Sequence, residues 1–293
     1  MQKKSAVMLI LLGGTCMSFV GLLMRLIESA DGFQILFFRS ISLTLMVGVV
    51  ACLKRRTSPA AFLRSLDRND LWMGLALSLA FLSYVFAMLQ TSVASTLFIL
   101  TAAPFLAALI GWVWIGETPQ RVAWLAMAAA TLGVGLMIGD GLGSGRTLGN
   151  VIALISAVLF ALMLVLARRS GKADVLGGTF LGGVLAGLLA MVAAFAFGKG
   201  LLVTPADLAL TLFMGAFTIG IGIAFVTWGT PFVPAAEVGL LVLIESVLGP
   251  VWVWVFLNEA MTPIEMLGGG IVLAAVASLA LAGTKQPRTR KLG

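Results

Sequence analysis

Histidine is absent from this chain of 293 residues, cysteine occurs twice and tyrosine once. Without histidine the sequence lacks the commonest metal ligand, the commonest general base and the usual switch near neutral pH. Cys16 and Cys52 fall inside or at the edge of apolar runs, so neither a disulfide framework nor a metal site is expected. Charge is scarce as well. Only 11% of the residues carry it, against about a quarter in soluble domains. The acids are scattered singly and assemble no catalytic constellation, so an enzyme is not expected. There is no GxxxxGK[ST] run, which argues against direct use of ATP, and no cofactor is implied.

What the chain does contain is apolar. Hydrophobic residues make up 60% of it, and mean hydropathy is +1.11. A water-soluble protein of this size could not hide so much apolar surface, so most of its solvent must be lipid. The net charge of +7 would suit nucleic acid. The basic residues sit in short clusters between apolar runs, however, which fits one face of a membrane better, and no nucleic-acid partner is expected. The opening MQKKSAVMLILLGG is charged and then apolar, like a signal peptide. The apolar run continues to Ile27 and more follow, so a retained first span is expected.

A helix needs roughly 20 apolar residues to cross the hydrocarbon. Such runs place ten spans near 6–27, 32–53, 71–90, 93–115, 121–139, 148–167, 176–198, 208–230, 235–257 and 263–282. The connection around Gln90–Ser92 is very short. Fusing the third and fourth spans would give a helix about two membranes long, so the split is preferred. With the N-terminus inside, the inner segments hold Lys3 and Lys4; Lys54, Arg55, Arg56, Arg64 and Arg68; Arg121; Arg168, Arg169 and Lys172; and Lys285, Arg288, Arg290 and Lys291. Only Arg25, Arg39, Arg146 and Lys199 lie elsewhere. That bias puts both termini in the cytoplasm of a bacterial inner membrane.

The chain also echoes itself. At an offset of 142, Ala94 meets Ala236, Trp112 meets Trp254, Glu117 meets Glu259 and Phe86 meets Trp228. Both copies run helix, W-x-W, glutamate, proline, and then a glycine-containing helix. Five spans per repeat would turn the second half upside down relative to the first. Inverted repeats recur in secondary transporters, with substrate held near the midplane between them. The expected units are residues 1–140, residues 141–284 and a basic tail over 285–293.

Certain runs have a further likeness: FFRS around Arg39, SYVFAMLQTSVAS from Ser83, APFLAALIGWVWIGE ending at Glu117, and GVGLMIGD. On these the chain resembles the drug/metabolite transporter superfamily, of the EamA type, over essentially its whole length. Its layout is similar to that of bacterial amino-acid exporters, the exporter of aromatic amino acids among them. The resemblance implies a basket of helices around a central cavity and efflux of amino acids or related metabolites. A flippase for lipid-linked substrates, or an exporter of another metabolite or a drug, is the alternative on the same fold. The expected partners are a small-molecule substrate and membrane lipid, with the protein acting as a monomer.

Few polar side chains lie deep in the spans. Glu245 is expected in the ninth, about 12 Å along the helix from Glu237. An intramembrane carboxylate is costly and marks function by default; it would meet a substrate ammonium or carry a proton, unless it is a helix–helix contact. Tyr84 shares a helical stripe with Phe81 and Met88, and Trp228 lies with Phe225 in the corresponding region of the eighth span. These aromatics suit either a cavity lining or ordinary packing. Gln90, Thr15, Ser18, Thr101 and Ser156 fall at plausible cavity depth, where each is a substrate ligand or an interhelical hydrogen bond. Arg39 reads as an interfacial arginine, a partner for Asp31 or Glu28, or a carboxylate ligand. Glu117 and Glu259 read as caps to neighbouring loops. Pro104 and Pro250 are expected to interrupt the fourth and ninth spans. Gly178, Gly182, Gly183 and Gly187 are expected to bring the seventh span close to a neighbour.

Overall fold

The computed structural model describes residues 2–116, 121–172, 174–233, 238 and 241–284, with the backbone alone at 122, 141–144 and 279–284. Glu117, Glu237 and the basic tail lie outside the described residues. Every regular element among those described is a helix. The first span is α1 (Lys3–Ser18) followed by α2 (Val20–Arg25), and the second is α3 (Gly32–Arg55). A short helix absent from the sequence reading, α4 (Pro59–Arg64), lies between the second and third. The third span is α5 (Arg68–Gln90), and the fourth is α6 (Val93–Thr101) with α7 (Ala103–Ile115). Then come α8 (Arg121–Ser144), α9 (Thr147–Ser170) and α10 (Leu176–Ala196). The eighth span is α11 (Pro205–Met214), a π-helical stretch (Gly215–Ile221) and α12 (Gly222–Gly229). The chain closes with α13 (Ile244–Leu257) and α14 (Pro263–Thr284).

Among the described residues, eight helical stretches are long and apolar enough to cross a membrane, from Lys3–Arg25 to Pro205–Phe232. Ile244–Leu257 and Pro263–Ser278 are apolar but shorter. The element ends follow local chemistry. Asp31 accepts from the Phe33 and Gln34 amides, while the Gln34 side chain accepts from the Asp31 amide, a closed capping box at the start of α3. Asp67 and Asp70 do the same for α5. The short connection splits the third and fourth spans as expected. Thr91 and Ser92 are extended, and the Ser92 hydroxyl accepts from the Ser95 amide to start a new helix.

The glycines of α10 let it press between α3 and α5. A Cβ at Gly178 would lie 2.7 Å from Met73, at Gly182 3.0 Å from Leu77, and at Gly183 2.3 Å from the Thr44 hydroxyl. The close neighbours therefore belong to the same chain.

Four spans are not continuous. The first breaks at Phe19, the fourth at Ala102, the eighth changes to π-helix at Gly215, and α13 starts after a turn at Leu243. Ala102 and Leu243 lie within one residue of the 142-residue offset that relates the two halves. The fourth span is interrupted at Pro104 as expected: the break falls at Ala102, and Pro104 stands in the first turn of α7, where its missing N–H costs nothing. The assignment of Pro250 needs correction. Pro250 lies inside α13, which runs through it; the interruption is at Leu243, seven residues earlier.

Candidate functional site

The breaks of the first, fourth and ninth spans meet through specific contacts. The Trp252 indole N–H of α13 donates to the Ser18 hydroxyl at 2.8 Å, and Ser18 donates to the Thr15 carbonyl. Phe19, at the first break, stacks on Trp252 with centroids 4.9 Å apart and meets Phe217 of the π-helical stretch edge-on at 6.1 Å. At the fourth-span break, Thr101 shares a hydrogen bond with Ser246 at 2.8 Å. A Cβ at Gly249 would lie 2.2 Å from the end of the Leu97 side chain, so the glycine lets Leu97 of α6 pack directly on the α13 backbone. π-Helical stretches and interrupted helices expose backbone groups and mark functional places in membrane proteins.

Glu245, beside Ser246 in the first turn of α13, is half-buried and has no hydrogen bond to a described residue. Arg39 is the surprise. It is 0% exposed, and its three guanidinium nitrogens have no hydrogen-bond partner among the described residues. The guanidinium lies over the Phe81 ring, 5.1 Å from its centroid, and 5.7 Å from that of Tyr84. The Ser40 and Thr44 hydroxyls, on the same stretch of α3, are also buried without partners. Arg39 is thus neither interfacial nor paired with Asp31 or Glu28. Asp31 is occupied by the start of α3 and by the Lys199 amide.

The remaining candidates separate. Ser156 donates to the Ala80 carbonyl, a link between α9 and α5. Thr15 donates to Leu11 of its own helix. Gln90 is exposed at the end of α5, and Trp228 is 38% exposed, away from the Tyr84 cluster's ring contacts. Ser18, Thr101, Tyr84 and Glu245 stay near the breaks. Trp252 and Ser246 were missed, although both flank the one deep carboxylate in LLVLIESVLGPVW, which was the available signal. No group of three or more Cys, Asp or Glu among the described residues could hold a metal ion. A groove of about 650 Å³, lined by Leu132, Gly135, Leu136, Gly139, Asp140, Ile264 and Leu267, lies along α8 and α14, apart from this cluster.

Residues 4–139 and 147–281 each match the EamA-like transporter family. The chain belongs to that family. Both halves of the sequence echo are therefore EamA repeats, and the protein is a multi-pass membrane transporter of small molecules. Members of the family are transporters, not enzymes. No curated protein matches the chain. A solved structure described only as the crystal structure of a protein superposes with a TM-score of 0.66 at 17% identity, across 96% of this chain and 98% of its own. That likeness establishes the fold.

The two EamA repeats are tied together at both ends. At one end, Arg25 donates through Nε to Glu259 at 2.7 Å and through its other nitrogens to the Met88 and Thr91 carbonyls. Glu259 also accepts from the Val93 amide at 3.0 Å, so it caps the start of α6. Partial burial alone would raise its pKa, but the Arg25 and Val93 hydrogen bonds prevail and hold it below the usual carboxylate range. Glu265, 2% exposed, joins the Ser92 and Ser95 hydroxyls to Arg146. Asp207 accepts from the Ser29 hydroxyl and from the amides of Glu28, Ser29 and Ala30. At the opposite, basic end, Lys172 binds Asp67 at 2.9 Å and Asp70, while Arg55 binds Asp174 at 2.8 Å. The hydrogen bond from Lys172 holds the Asp67 carboxyl down at about 2.

Proposed function

We propose that this protein is a secondary transporter that exports amino acids, neutral or aromatic, across the bacterial cytoplasmic membrane by alternating access. In this reading ten spans form two inverted five-span repeats around a central cavity, with both termini cytoplasmic. The two short apolar helices, α13 and α14, complete the ten. The observation that carries the reading is the placement of Glu245: a carboxylate without a hydrogen bond to a described residue, at the break of α13 and one residue from the Thr101–Ser246 bridge between repeats. A membrane protein keeps such a group only where something outside the fold, a substrate ammonium or a proton, satisfies it in part of the cycle.

Two features support alternating access. The ion pairs between repeats gather at the two ends, as Arg25–Glu259 and Lys172–Asp67, so opening one end breaks one set and leaves the other. The interrupted helices supply the places where a rigid bundle can bend. A monomer is the simplest working unit, because the α10 glycines are already used against α3 and α5.

The test is flux of labelled amino acids into proteoliposomes. Saturable, protein-dependent flux of several neutral or aromatic amino acids is expected, with Glu245→Gln reducing it or removing its pH dependence while leaving the yield of folded protein intact. No flux of any amino acid through folded protein would refute the substrate assignment. Unchanged flux and pH profile in the variant would refute the role of Glu245.

A further inference from the structure

Arg39 is a charge that the fold buries and does not satisfy. Its three nitrogens carry five N–H groups, and none finds an oxygen among the described residues. The faces of Phe81 and Tyr84 supply cation–π contact at 5.1 and 5.7 Å, which offsets only part of the cost of removing a guanidinium from water. Five carboxylates among the described residues are engaged elsewhere. Asp31 caps α3, Asp70 binds Lys172, Asp207 binds Ser29, Glu259 binds Arg25, and Glu265 binds Ser92. Among the described residues Arg39 is therefore a buried cation with no hydrogen-bonded counter-charge.

We propose that Arg39 is the carboxylate-binding group of the transported solute, so that the substrate class is solutes that carry a carboxylate, amino acids among them. The assignment rests on the transport reading above and makes it more specific. A guanidinium presents a planar fork that matches a carboxylate with two parallel hydrogen bonds. Phe81 and Tyr84 meet that fork through their ring faces. The Ser40 and Thr44 hydroxyls, buried beside it on α3 without partners, are further donors on the same stretch of helix. Removing a bidentate partner of this kind should weaken carboxylate binding about 10- to 100-fold.

The experiment measures thermal stabilisation of the purified, full-length protein by 3-phenylpropionate and by 3-phenylpropionamide, at matched concentration and ionic strength. The two probes differ only in the anionic group. Wild type should be stabilised by the acid and not by the amide. Arg39→Met should lose the response to the acid while melting no lower than wild type without ligand, because an unsatisfied buried charge has been removed. Arg39→Lys should keep a weakened response. Equal responses of wild type to acid and amide would overturn the proposal even if amino acids are transported, and this result needs no variant to fold. An acid response that Arg39→Met retains would overturn it too. If the acid response appears and vanishes in Arg39→Met but no amino acid is moved, the anion site stands and the amino-acid reading fails.

Discussion

The Arg25–Glu259 tie offers the most quantitative prediction. Arg25 makes two hydrogen bonds to Glu259, at 2.7 and 3.2 Å, and one each to the Met88 and Thr91 carbonyls. The two side chains are 24% and 22% exposed, so water screens the pair only in part. Removing one partner of a fully buried pair costs about 3–5 kcal/mol, because the other charge is left unsatisfied. With roughly a quarter of each group in water, and with Val93 still donating to Glu259, the expected cost of Arg25→Met is ~2–3 kcal/mol. Removing both partners in Arg25→Met/Glu259→Leu should destabilise by less than the sum of the single changes, with a coupling of about 1–2 kcal/mol. Thermal unfolding of the four proteins in one detergent closes the cycle. The pH dependence has a definite sign. The Glu259 carboxyl is held below its ordinary 4.5, so its contribution is complete above that value and is lost as pH falls through the folded-state pKa. Wild type should therefore lose stability below pH 4.5 more steeply than Glu259→Gln. An Arg25→Met protein that melts like wild type, or single effects that add to within about 0.5 kcal/mol, would refute the reasoning.

Gly215→Ala places a Cβ 2.1 Å from the Arg39 carbonyl, backbone that cannot swing aside, and should cost about 1–3 kcal/mol in melting experiments; no loss would mean the π-helical stretch shifts freely. Ser246→Ala removes the hydrogen bond to Thr101 between the breaks, and its small cost, about 0.6–1 kcal/mol, should disappear in a Thr101→Val background. Lys172→Gln frees Asp67, whose carboxyl the hydrogen bond from Lys172 holds at about 2 against an ordinary 3.8. The wild type's extra stability is then present above pH 3.8 and lost between there and pH 2, and titration of Asp67 by NMR should show its pKa rising in the variant.

Much of the fold was legible without coordinates. Lipid as solvent demands long apolar helices, because every backbone amide must be satisfied within its own segment. Run length alone therefore located the eight long stretches, with ends near those observed: 93–115 was expected and Val93–Ile115 found. The repeat was legible for a similar reason: Trp112 and Trp254, with their following glutamates, are rare among aliphatic residues and stand out at a fixed offset. The α10 glycines announced a close approach, since only a missing Cβ permits one.

What the sequence could not decide is how side chains meet across helices. Arg39 reads alike as an interfacial arginine or a buried one, because which way α3 faces depends on α5 and α10, far along the chain. The break at Leu243 was hidden for the same reason. Pro250 carries the stronger local signal, yet α13 tolerates it while the turn falls where α6 and α13 meet. Composition and run length determined that this chain is a helical membrane protein, and the fixed offset of its tryptophans and glutamates that it holds two repeats. Only tertiary packing decided that Ser156 and Thr15 are spent on backbone carbonyls while Arg39 and Glu245 are left open. Hydrophobic partition acts on each segment by itself, whereas satisfying a buried polar group depends on what several segments bring to one point.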